Sequence, residues 1–68
     1  MKIKYFGDTD TALMEFTDRE VLQTKEISEN IYVDLDAQGN LVSMTIEHAK
    51  ENASLPEVTF QQMEAKTA

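Results

Sequence analysis

Ile31-Tyr32-Val33-Asp34-Leu35-Asp36-Ala37-Gln38-Gly39-Asn40-Leu41-Val42-Ser43-Met44-Thr45-Ile46-Glu47 is the stretch that decides the fold. Its period is two. Ile31, Val33 and Leu35 alternate with Tyr32 and Asp34, so an extended chain places the apolar set on one side. Asp36 to Asn40 interrupt the alternation with turn formers, and Gly39 is free to take the positive φ that a tight hairpin needs. The alternation then resumes. Val42, Met44 and Ile46 face one way, and Leu41, Ser43, Thr45 and Glu47 the other. The reading is a strand over 31–35, a hairpin loop over 36–40 and a strand over 41–47.

The same period extends towards the N-terminus. Ile3 and Tyr5 alternate with Lys2 and Lys4, which predicts a strand over 2–6. Gly7-Asp8-Thr9-Asp10 is a turn. A second strand runs over 11–17, with Ala12, Met14 and Phe16 on one side and Thr11, Leu13, Glu15 and Thr17 on the other. Asp18-Arg19 reads as the next turn. Val21 to Ile27 is more polar, but its β-branched residues favour a strand with a solvated face, as at a sheet edge. Ser28-Glu29-Asn30 turns the chain into the strand at 31.

The pattern changes after Glu47. His48 to Ala53 suit one helical turn, and Pro56 stops any helix running through it. Thr59-Phe60-Gln61-Gln62 fits a capping box, which predicts a short helix over 60–66. The expected fold class is α+β: a five-stranded antiparallel meander sheet with a short C-terminal helix. Residues 1–63 form a single small β-rich domain, and 64–68 form a short polar tail expected to fray. The main apolar face comprises Ile3, Tyr5, Ala12, Met14, Phe16, Ile31, Val33, Leu35, Val42, Met44 and Ile46. One short helix is too small to cover it, so the chain is expected to self-associate as a homodimer.

Composition narrows the chemistry. The 68 residues hold 13 acids and six Lys or Arg, for a net charge of −7. That balance opposes attachment to nucleic acid or to anionic membranes, and neither is expected as a partner. There is no Cys, which removes disulfides, thiolate metal sites and cysteine nucleophiles. No apolar run approaches the 7–15 residues of a secretory signal or the about 20 of a membrane helix, so the expected location is the cytoplasm.

The candidate residues each have a bland reading beside the chemical one. His48 is the only histidine and follows Glu47. The pair invites a metal or small-ligand reading at the end of the sheet. Adjacent strand residues point to opposite faces, however, and a hydrolytic metal usually needs three protein ligands. Asp34, Asp36, Gln38 and Gly39 match the opening of a calcium loop, but the position of the bidentate Glu holds Thr45. A hairpin turn accounts for the same residues. Asp8, Asp10, Glu15, Asp18 and Glu20 read as solvated turn and strand residues. Tyr32 is the aromatic expected on the outer face, where it suits a partner interface. Tyr32, Asp34, Asp36, Glu47 and His48 are therefore the candidate interaction or ligand residues. No catalytic residue, metal ligand or cofactor is assigned.

Three stretches carry a family resemblance. They are Asp10-Thr11-Ala12-Leu13-Met14-Glu15-Phe16, Val33 to Val42 with its Asp-x-Asp-x-x-Gly-x-Leu-Val hairpin, and Ile46-Glu47-His48-Ala49. Together they make the chain similar to the YuzE-like family of small bacterial domains of unknown function, over roughly residues 1–63. The resemblance implies a compact β-rich domain with no established activity. It also implies partners among small ribonuclease-like toxins, which would make such domains antitoxins. It supplies no catalytic residues. The expected function is a non-enzymatic protein-interaction domain, antitoxin-like, that neutralises a small basic protein. The alternative is a small-ligand or metal-binding domain using Glu47 and His48.

Overall fold

A computed structural model describes residues 1–53, 57 and 59–63. Five strands form one antiparallel sheet: β1 (Lys2–Phe6), β2 (Thr11–Glu15), β3 (Gln23–Ser28), β4 (Ile31–Leu35) and β5 (Leu41–Glu47). One helical turn, α1 (Ala49–Asn52), follows β5.

The strand order is β1-β2-β5-β4-β3, which corrects the expected meander. β1 and β2 form one hairpin, and β3, β4 and β5 form a sequential three-stranded unit. The two units join through β2 and β5. Read backwards along the chain, β5, β4, β3 and β2 have the Greek-key order. The physical reason lies in burial. β5 is the most buried strand and takes the centre of the sheet, whereas every residue of the polar β3 is exposed and the strand lies at an edge. β2 ends at Glu15 rather than at 17, β3 begins at Gln23 rather than at 21, and the expected turn at Asp18-Arg19 is part of a strap over 16–22 that runs from β2 to the far edge. Three strand spacings are about 14 Å, and seven extended residues reach about 23 Å. The strap is pinned along its path. The amides of Phe16 and Thr17 donate to the Val42 carbonyl, and that of Leu22 donates to the Leu35 carbonyl.

The β4–β5 hairpin forms as its residues dictate. The Gly39 amide donates to the Asp36 carbonyl at 3.1 Å, and Gly39 takes φ 83°. This is a type I turn followed by a left-handed residue. Ser28 faces Ile31 across a bulge in β3, leaving Glu29 and Asn30 as the turn.

The register sorts the side chains into two faces, because paired residues share a side of the sheet. Ile3, Met14, Met44, Val33 and Lys25 form one row across all five strands. Tyr5, Ala12, Ile46 and Ile31 form the next row on that face. These rows hold eight of the eleven residues of the expected apolar face; Phe16 lies beyond β2, and Leu35 and Val42 fall at a register shift between β4 and β5. The opposite face carries Lys2, Glu15, Ser43, Asp34 and Thr24 in one row and Lys4, Leu13, Thr45, Tyr32 and Glu26 in another.

α1 folds back on one corner of the apolar face, where Ala49 packs with Ala12 and Ile46 beside Tyr5, Met14 and Met44. No large side chain among the described residues is fully buried. The helix expected over 60–66 is corrected within the described residues. Residues 60–63 have no regular structure, and Phe60 is 82% exposed. A capping box lowers the cost of starting a helix, but a helix this short needs a packing surface that Phe60 does not find. Residues 64–66 of that helix, and the tail over 64–68, lie outside the described residues.

Candidate functional site

The five candidate residues do not gather at one place. Tyr32, Asp34 and Glu47 lie on the polar face. Asp36 sits in the β4–β5 turn, and His48 lies beyond the other end of β5.

Asp34 is held within the sheet. Thr24 on β3 donates its hydroxyl to Asp34 Oδ1 at 2.6 Å, and Ser43 on β5 donates to Oδ2. The three residues share one cross-strand row, so the carboxylate ties both neighbouring strands together. Asp36 is enclosed at the turn. Its Oδ1 accepts the amides of Gln38 and Asn40 at 2.9 and 2.8 Å. Arg19, from the strap, places Nη1 3.3 Å from Oδ2. The Asn40 amide is the main cause that holds the Asp36 carboxyl below its ordinary range, and Gln38 and Arg19 add to it. Both acids of the calcium-like motif are thus committed to protein donors at separate places. Asp36 accepts within the hairpin turn, whereas Asp34 accepts across the strands from Thr24 and Ser43.

His48 takes φ 52°, in the left-handed region. It is exposed, and its side chain makes no hydrogen bond among the described residues. Its carbonyl accepts the amides of Glu51 and Asn52 and so starts α1. Among the described residues, no three His, Asp or Glu side chains are grouped closely enough to hold a metal ion.

Tyr32 has the most distinctive electrostatics. Glu26 lies directly across from it on β3, and Glu47 lies diagonally on β5, two residues beyond its partner Thr45. Its hydroxyl donates to the Glu29 carbonyl at 3.4 Å. The negative field of Glu47, followed by burial and the fields of Glu26 and Glu29, pushes the phenol above its ordinary value of 10.0. On the β3–β4–β5 half of the polar face, Tyr32 therefore sits between Glu26 and Glu47, with Glu29 in the adjoining turn. On the β1–β2 half, Lys4 pairs with Glu15 at 2.9 Å, which lowers the pKa of the Glu15 carboxyl.

Asp10 corrects the solvated reading of the first turn. It is half-buried and takes φ 54°. Its carboxylate accepts the Tyr5 hydroxyl at 2.6 Å and the Lys50 amide at 3.2 Å, and its carbonyl accepts the Ala49 amide. The turn of β1–β2 is thereby locked to the start of α1. The run Gly7-Asp8-Thr9-Asp10 signals a turn, but its contact with residues 49–50 is too distant in sequence to be read locally. An open recess of about 260 Å³ is lined by Met1, Lys2, Glu15, Phe16, Thr17 and Asp18. It is smaller than ordinary ligand pockets and holds none of the five candidates.

No helix among the described residues is long and apolar enough to cross a membrane. The fold and these faces define a small, single-sheet antiparallel domain. Residues 2–50 match a family described as protein of unknown function (DUF2283), and the chain belongs to that family. No curated protein and no solved structure matches the chain.

Proposed function

We propose that this chain is a non-enzymatic interaction domain whose acidic polar face neutralises a small basic protein in the cytoplasm, as an antitoxin does. The observation that carries the reading is the register, which sets Glu26 directly across from Tyr32 and Glu47 diagonal to it on the polar face. Such a patch suits a cationic partner. Its carboxylates speed and orient the encounter, and the tyrosine ring offers a flat surface for a guanidinium. The likeness of the 33–42 hairpin and of Ile46-Glu47-His48-Ala49 to the YuzE-like family supports the same reading.

The test is affinity capture by the full chain from its native host, followed by calorimetric titration with any small basic protein recovered; recovery of no small basic protein would contradict the proposal. The expected result is binding that weakens steeply with salt. The Glu26→Lys, Glu47→Lys double variant should bind at least about tenfold more weakly. Binding that ignores the double reversal, or no binding at low salt, would contradict the proposal.

A further inference from the structure

The apolar face lies opposite the Tyr32 patch, and α1 covers only the corner formed by Ala12 and Ile46. Val42, at the other end of β5, is also buried, and the middle of the face between these two places is only partly covered. Ile3 is 37% exposed, and Met14, Met44, Val33 and Ile31 are half-buried. A partly uncovered sheet face of this kind marks an interaction surface.

Charge selects the occupant. The strands carry four acids, Glu15, Glu26, Asp34 and Glu47, and the register puts every one on the polar face. The apolar rows hold one charged residue, Lys25, at the exposed edge of the sheet. Two chains of net charge −7 repel one another over most approaches. Meeting through this face keeps the strand carboxylates of both copies on the outside. A basic partner, by contrast, is drawn to the acidic face and gains nothing electrostatically here.

Area sets the strength. Five strands about 4.8 Å apart, with about five residues of about 3.3 Å each, give a footprint near 400 Å² per copy. Interdigitating side chains raise the accessible area above this footprint. The pair still belongs at the small end of specific interfaces, which begin at about 1,200 Å² in total. We infer that two copies of this chain stack apolar face to apolar face, as a two-sheet sandwich with the Tyr32 patches on its outer surfaces. Sheets packed this way lie about 10 Å apart with their strands within about 30°. The association is reversible, with dissociation in the micromolar range. It uses the face opposite to the proposed basic-protein surface, so either assignment can fail alone.

Sedimentation equilibrium of the full chain from about 1 to about 500 micromolar tests this. The expected result is a mass rising from one chain to two. Met44→Glu should stay at one chain mass throughout. Ile3→Glu, at an exposed position that leaves the packed corner intact, should weaken association at least about tenfold. Thr45→Glu, on the opposite face, should dimerise like the wild type. Circular dichroism identifies any variant that has failed to fold, and Ile3→Glu decides the case if Met44→Glu has. A single chain mass at every concentration would overturn the inference. So would folded Ile3→Glu associating like the wild type, or folded Thr45→Glu losing association. A monomer whose Phe60 is protected from proteolysis would also overturn it, and would assign the face to the chain's own C-terminal segment.

Discussion

Asp36 is 6% exposed, and its carboxylate accepts two backbone amides while facing Arg19. The two amides belong to a turn that would otherwise leave them without partners, so truncating Asp36 strands them. Arg19 is about half exposed and solvent screens its charge. Asp36→Ala should therefore lower the melting temperature more than Arg19→Ala, as thermal denaturation at pH 7 would show. The folded protein holds the Asp36 carboxyl below its ordinary 3.8, so this stabilisation is complete above that value. It is lost as pH falls through the depressed folded value. Acid melts of Asp36→Ala should accordingly show a shallower loss of stability below about pH 4 than the wild type. Tyr5 has the opposite sign. The hydrogen bond to Asp10 raises the phenol above 10.0, so its contribution is complete below 10.0 and is lost as pH rises through the raised value. Gly39 at φ 83° has open space where a Cβ would stand. Gly39→Ala should thus cost about 1 kcal/mol, all of it from the dihedral, measurable by urea denaturation.

At the scale of elements, β5 is the centre of the sheet and Ile46 is its largest well-buried anchor, packed with Ala12 and Ala49. Ile46→Ala should destabilise by about 2–4 kcal/mol in chemical denaturation, whereas Thr45→Ala, on the half-open polar face, should stay within about 1 kcal/mol. The β4–β5 hairpin was legible because its signals are local: strict alternation on both sides and a glycine where φ must be positive. The polar β3 was legible as an edge for the same reason. Strand order was not. Asp18-Arg19 has the composition of a turn, but Arg19 belongs to a strap whose partner, Asp36, is 17 residues away. The capping box at Thr59 misled for the converse reason. A local start signal without a packing surface does not make a helix.

Across the whole molecule, the alternating pattern separates two surfaces. One face collects the strand carboxylates and Tyr32, and the other collects Ile3, Met14, Met44, Val33 and Ile31. The partition was readable from the sequence because it follows the period of two. The grouping of Glu26, Glu29 and Glu47 around Tyr32 was not, because it depends on which strands are neighbours. His48 stood out as the only histidine, yet its φ of 52° gives it a backbone task at the β5–α1 junction. The two proposals give the faces different occupants, a basic protein on one and a second copy on the other. The most direct measurement is methyl-resolved NMR of the full chain across a concentration series. The Met14, Met44, Val33 and Ile31 methyl signals should shift with concentration while those of Leu13 and Thr45 hold still. Signals that are all independent of concentration, or shifts confined to Leu13 and Thr45, would contradict a second copy on the apolar face.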